Sequence, residues 1–171
     1  LTACCYVSPS GAQGILDEII PFIDGRPLNR EEDSYYDLPV RSPEKANLYE
    51  HGLRAIKRGL RFGEHGLPLM GSGDWNDGMN MVGIQGKGES VWLGFFLYDI
   101  LTQFAKIASR RGDTSFEECC RKEALQLRLN IEQHGWDGLW YRRAFFDNGS
   151  MLGSARSEEC RIDSIAQSWS V

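Results

Sequence analysis

Between about Glu89 and Arg111 the chain carries apolar side chains on nearly every face of a helix. Val91, Trp92, Leu93, Phe95, Phe96, Leu97, Ile100, Leu101, Phe104, Ile107 and Ala108 all fall in this run. A helix that is apolar all round is either enclosed by protein or spans a membrane. Asp99 and Gln103 interrupt the run, and it falls short of the ~20 apolar residues that a span needs. The segment therefore reads as an inner helix, covered by neighbours that need only one apolar face each.

Those neighbours are legible on both sides. Ser42-Pro43-Glu44 has the N-cap, the first-turn proline and the acidic residue of a helix start. Tyr49, Leu53, Ile56 and Leu60 follow at helical spacing, and Gly63 is a stop, so a helix is predicted over 43–62. After Gly112, Thr114 or Ser115 can cap a third helix over 115–134. Phe116, Cys120, Ala124, Leu127 and Ile131 form its stripe, and Gly135 ends it. Leu139 to Phe146 is aromatic-rich and runs into Asp147-Asn148-Gly149-Ser150, which predicts a β-hairpin or an extended arm. A last helix begins near Asp163. Helices in antiparallel pairs imply an all-α architecture.

Composition narrows the class. The 171 residues are 42% hydrophobic and include five Trp, six Tyr and eight Phe, enough apolar material to exclude disorder. The net charge of -5 speaks against nucleic acid, whose phosphates require a basic face. Five cysteines, four of them in adjacent pairs, make a poor disulfide set. Reduced thiols and a cytoplasmic location are expected, for a soluble domain whose parent can still be membrane-attached. No signal-peptide pattern opens the chain, and both ends read as cut. Residues 1–171 are thus expected to form a single fragment of a larger catalytic domain, inactive when isolated.

Residues 63–88 break the helical pattern with eight glycines, and a loop this long within a compact domain is often functional. At its centre, Gly71-Ser-Gly-Asp-Trp-Asn-Asp-Gly-Met-Asn80 gathers two carboxylates, two amides and an indole. Turn and capping chemistry accounts for Asn, Asp and Gly without any ligand. It accounts less well for Trp75. An indole offers a surface to the C–H face of a sugar ring, and the groups of Asp74 and Asn76 suit its hydroxyls. Turn and carbohydrate site both stand at this point.

Other chemistries fail on spacing. An EF-hand loop needs Asp-x-Asn-x-Asp-Gly and a Glu at its twelfth position, which counted from Asp74 is Gln85. Gly86-Lys87 is followed by Gly88 rather than by the Ser or Thr of a P-loop. No Gly-x-Ser-x-Gly elbow is present. His51, His65 and His134 lack metal-ligand spacing, so no metal is expected. His65 alone leads directly into the acidic loop. Arg142, Arg143, Arg156 and Arg161 could bind an anion or simply be exposed. Trp136 and Trp140 suit either a sugar or a packed hairpin.

Gly73-Asp74-Trp75-Asn76-Asp77-Gly78-Met79-Asn80 resembles the catalytic motif of glycoside hydrolase family 94, the cellobiose and chitobiose phosphorylases and their relatives. Gly63-Glu64-His65-Gly66-Leu67-Pro68-Leu69, Gly88-Glu89-Ser90-Val91-Trp92-Leu93, Trp136 to Ala144 and Ile162 to Trp169 extend the likeness essentially end to end. It is closest to the carboxy-terminal phosphorylase-like domain of cyclic β-1,2-glucan synthases.

The resemblance implies an (α/α)6 barrel, of which this chain is about half. It implies Asp77 as general acid and Trp75 as a substrate-binding residue, with phosphate-binding residues outside the chain; Asp74 and Asn76, from their side-chain chemistry, are the other substrate-binding candidates. The implied reaction is inverting phosphorolysis of a β-linked glucan, β-1,2-glucan first among them, to α-glucose 1-phosphate. An inverting hydrolase needs two committed carboxylates, whereas phosphate is already a nucleophile and leaves only an acid to supply. Inorganic phosphate is then a co-substrate and no cofactor is needed. The expected partners are a β-glucan oligosaccharide, phosphate and the remainder of the parent domain, with a homodimer as one arrangement open to it. An inverting hydrolase of the same fold is one alternative. A non-catalytic glucan-binding or chain-length-setting module is the other.

Overall fold

The computed structural model describes residues 1–27, 29, 32 and 35–171, and of Asp77 the main chain alone. The chain forms two compact units, Leu1–Arg58 and Gly59–Val171.

The first unit contains helix α1 (Thr2–Ser10), a 3-10 turn (Gln13–Asp17), strands β1 (Ile19–Asp24) and β2 (Val40–Asn47), and most of helix α2 (Leu48–Gly59). β1 and β2 pair antiparallel, with Ile19 opposite Asn47 and Ile23 opposite Arg41. The helix predicted over 43–62 therefore starts later and ends earlier. Ser42-Pro43-Glu44, which looks like a helix start, forms the irregularity in β2 opposite Phe22. A proline has no N–H to give a ladder, so it is tolerated where pairing is already broken. The working N-cap is Asn47, whose Oδ1 accepts the Glu50 N–H at 2.8 Å. His51 is structural: its Nε2 lies 3.0 Å from the Ile20 carbonyl, and its ring stacks on Phe22 at 3.9 Å.

The second unit is built on a helical hairpin. Helix α3 (Val91–Arg110) and helix α4 (Thr114–Asn130) pack on each other, with Phe104 and Phe116 edge to face at 5.7 Å. One side of α3 lies in the core, with Val91, Leu101, Phe104, Ala105 and Ala108 buried, while Leu93, Phe95, Phe96 and Ile100 are only partly covered. By length and composition α3 is long and apolar enough to cross a membrane, but half of that stretch is buried within this fold. Gly112, at φ +74°, ends the first helix as expected. The cap of α4 is neither Thr114 nor Ser115 but Asp113, which accepts the Phe116 N–H at 3.1 Å. α4 ends in a π-helical turn over Ile131–Gly135.

A three-stranded antiparallel sheet completes the unit. Strand β3 (Glu89–Ser90) pairs with β4 (Ala144–Phe145), and β4 pairs with β5 (Met151–Leu152) across the turn at 147–150. The expected hairpin is β4–β5, and the two residues expected to open α3 form its third strand. Helix α5 (Ser164–Trp169) begins where expected, capped by Asp163. Among the described residues the protein is thus helical with two small antiparallel sheets, the first of which the sequence reading did not anticipate.

Candidate active site

The long glycine-rich loop from Gly63 to Gly88 is irregular but for isolated bridges at Pro68 and Leu69 and a short helical turn, Asp77–Met79. Its conformation is set at three places by a buried or half-buried carboxylate, and each place touches the β3–β4–β5 sheet. At the entrance, Glu89 of β3 is almost wholly enclosed. Its oxygens accept the Leu67 N–H at 3.0 Å and the His65 N–H at 3.1 and 3.2 Å, and one lies 2.5 Å from His65 Nδ1. Gly63 packs so closely here that an added Cβ would stand 2.5 Å from the Glu89 carboxyl carbon.

At the exit, Asp147 follows β4 and reaches back to the loop. It accepts the N–H groups of Gln85, Lys87 and Gly88 at 2.8, 2.8 and 2.9 Å. Burial alone would raise its pKa. The three N–H groups and the nearby Lys87 charge outweigh burial and hold the carboxyl below the usual carboxylate range.

At the centre stands Asp74, whose side chain is fully enclosed. Arg143, just before β4, grips it with both arms, Nη1 to Oδ2 and Nη2 to Oδ1, each at 2.7 Å. The Ser90 hydroxyl donates to Oδ2 at 2.7 Å and the Asn76 N–H to Oδ1 at 3.1 Å. Burial pushes the Asp74 pKa up, but these hydrogen bonds and the guanidinium charge pull it further down, so it is an anion throughout the neutral range. Asp74, expected to bind substrate, has both oxygens on protein donors in this structure, and its side chain supports the loop.

The residues beyond it face outward. Trp75 is 74% exposed. Asn76 is exposed too, and its Oδ1 accepts the Gly78 N–H at 2.9 Å, capping the turn that Asp77 opens. The Asp77 carboxyl, expected to be the acid, lies outside the described residues. Asp74 and Trp75 are therefore separated by a single peptide bond but serve opposite faces of the loop. Beneath Trp75 lies an aromatic group: Trp92, Phe96 and Trp169 meet at ring distances of 5.4 to 6.0 Å.

The other singled-out residues are mostly structural. Arg142 pairs with Asp137 and donates to the His134 and Trp136 carbonyls, so both its terminal nitrogens are committed within the protein. Trp140 Nε1 donates to the Gly153 and Arg161 carbonyls, which favours the packed-hairpin reading, while Trp136 sits edge to face on Tyr141. His65 stacks on Phe145 at 3.9 Å. Among the described residues no group of three His, Cys, Asp or Glu could hold a metal. All five cysteines are described, and none of them forms a disulfide. Sequence reasoning missed Arg143, Ser90 and Asp147 as parts of the site. The one available signal was their placement in quoted motif segments or in the turn beside them.

The model of the glycosyl hydrolase 94 superfamily catalytic domain matches residues 6–171. The chain is 46% identical over 167 residues to the cyclic beta-(1,2)-glucan synthase NdvB of Rhizobium meliloti (strain 1021), an alignment covering 96% of this chain and 6% of that protein. It is 32% identical over 175 residues to a solabiose phosphorylase of Paenibacillus borealis, covering 99% of this chain and 20% of that enzyme. An N,N'-diacetylchitobiose phosphorylase of Vibrio proteolyticus is 29% identical over 94% of this chain and 18% of its own length. The chain thus spans a fifth or less of each of these relatives. With a family model matched over nearly every residue, and the Gly73–Asn80 loop within the matched stretch, the chain belongs to the glycosyl hydrolase 94 superfamily, within its catalytic domain.

Proposed function

We propose that the chain is part of the (α/α)6-barrel catalytic domain of an inverting glycoside phosphorylase that acts on β-linked glucan, β-1,2-linked first among them. One observation carries this reading: the loop is locked from below by the Asp74–Arg143 pair while Trp75 and Asn76 face outward beside the turn that begins at Asp77. Such an arrangement holds a sugar-stacking surface and a proton donor in fixed register. The names of the relatives, one a β-1,2-glucan synthase and others phosphorylases, agree with it.

In the reaction, phosphate attacks the anomeric carbon from the face opposite the scissile bond. Asp77 gives its proton to the departing glycosidic oxygen as the C–O bond breaks. The products are α-glucose 1-phosphate and a glucan shortened by one unit. Asp74 acts as neither acid nor base here, being ionised and enclosed. Trp75 stacks on the sugar on the non-reducing side of the broken bond. The proposed setting is cytoplasmic, with no cofactor and with phosphate as co-substrate. The rest of the parent domain supplies the phosphate site, and a homodimer is the proposed assembly.

The test is the complete parent domain incubated with β-1,2-glucan, with and without phosphate. Glucose 1-phosphate formed only with phosphate is expected. Full cleavage without phosphate would make the enzyme a hydrolase, and binding without turnover would make the domain a glucan-holding or chain-length-setting module.

A further inference from the structure

Among the described residues Arg143 is the largest fully buried side chain, and its donors are committed in three directions. Both terminal nitrogens hold Asp74, Nη1 also donates to the Ser90 hydroxyl at 3.1 Å, and Nε lies 3.6 Å from Oδ2 of Asp163. Its main chain is equally fixed. The Arg143 N–H donates to the Leu152 carbonyl at 2.8 Å, and its carbonyl accepts the Val91 N–H at 3.1 Å. Close approach of Gly153 locks the same point, since a Cβ there would stand 2.7 Å from the Arg143 nitrogen. The guanidinium therefore projects from a rigid base.

Asp163 caps α5, accepting the Ile165 N–H at 2.9 Å. From the same helix, Gln167 takes the Tyr141 N–H at 3.0 Å and gives its amide to the Tyr141 carbonyl at 2.7 Å, two residues before Arg143. The acidic loop and the start of α5 are thus held by one side chain, with an anion on either side of it.

We propose that Arg143 is a positioning residue, tying Asp74 to the N-terminus of α5 through Asp163 and so fixing where Trp75, Asn76 and the Asp77 turn stand. The inference rests on the reading of this loop as the acid-bearing site. Arg143 touches no substrate; it acts through Asp74. A planar fork is needed for that grip, because a lysine ammonium cannot meet two carboxylate oxygens in parallel.

The experiment compares Arg143→Lys, Arg143→Gln, Asp74→Asn and the double variant Arg143→Gln/Asp74→Asn in the complete parent domain. Two readouts are taken: kcat and KM on β-1,2-glucan with phosphate, and amide hydrogen exchange. Each single variant should lose about 10- to 100-fold in kcat per folded molecule, the scale of a small misplacement, with KM little changed. Exchange should rise over residues 71–80 but not in α4. If Arg143 acts through Asp74, the double variant is no worse than the more impaired single one. Wild-type kcat in the single variants, losses that multiply, or exchange that rises across α3 and α4 as much as in the loop would overturn the proposal. Should the wild-type domain form no glucose 1-phosphate, the proposed function fails, and exchange alone decides the positioning role: loop protection in Arg143→Lys equal to wild type then refutes it. If Arg143→Gln does not fold, Arg143→Lys and Asp74→Asn carry the same comparison.

Discussion

The ring of Trp75 stands 6.5 Å from that of Trp92, yet 74% of the first is exposed and 5% of the second. The two indoles mark the outer and inner layers of one aromatic group, and truncating them should have opposite consequences. Trp75→Ala should shift stability by no more than about 0.5 kcal/mol, as for other exposed positions. It should weaken glucan binding, measured by titration calorimetry on the parent domain. Trp92→Ala should cost about 3–5 kcal/mol of stability, as large core truncations do. Unchanged glucan affinity in Trp75→Ala would remove that residue from the site.

Asp77 and Asp74 should separate just as clearly. Asp77→Asn in the intact parent domain should lower cleavage by at least about 10²–10⁴-fold, the usual worth of general acid catalysis, with glucan binding nearly unchanged. Asp74→Asn should cost less activity, the loss arising in the loop, because it leaves the enclosed Arg143 without its anion. A glucosyl fluoride departs with less need of a proton, so it should restore much of the Asp77→Asn rate. If it does not, Asp77 is not the acid.

Acid should loosen the second unit through Asp74, Asp137 and Asp147, each held below the usual carboxylate range. A carboxyl whose folded pKa lies below its unfolded one stabilises the fold above the unfolded value, about 3.9 for Asp. That contribution disappears as pH falls through the folded value. Stability of the parent domain should therefore fall steeply below about pH 4, and these three groups should leave it flat around neutrality. Urea midpoints measured across that range check this. Asp147→Asn should show a shallower acid slope than wild type.

Loss of the Asp147 clamp should also be visible locally. Asp147→Ala leaves the N–H groups of Gln85, Lys87 and Gly88 without their acceptor, at a cost of about 1–3 kcal/mol where such groups stay buried. Amide exchange should quicken over 85–88 while α4 keeps its protection. Uniform quickening would mean that the clamp holds more than the loop.

The long helices and the acidic loop were legible because their signals are periodic or local. The apolar run of α3 reads as a helix by its length and composition, and the glycines of 63–88 interrupt any helical period. The start of α2 was misread because Ser42-Pro43-Glu44 satisfies a helix cap and a strand irregularity equally well. What decides is the pairing of β2 with β1, across an interval that no local pattern spans. Arg143 was left open between an anion-binding and an exposed arginine for the same reason. It is 69 residues from Asp74, and nothing in a run of two arginines says which one turns inward. Asp147 was read as turn chemistry, which is true of its backbone and silent about where its carboxylate goes.

Ser90 ties these findings together through a single oxygen. Its hydroxyl donates to Asp74 and accepts from the Leu93 N–H at the first turn of α3 and from Arg143. A hydroxyl has one proton and two lone pairs, and all three are spent. Nucleation of the longest helix and placement of the acidic loop thus share one atom. A search for sturdier variants and a search for faster ones would therefore retain the same side chain at position 90, and neither trait can drift there without the other.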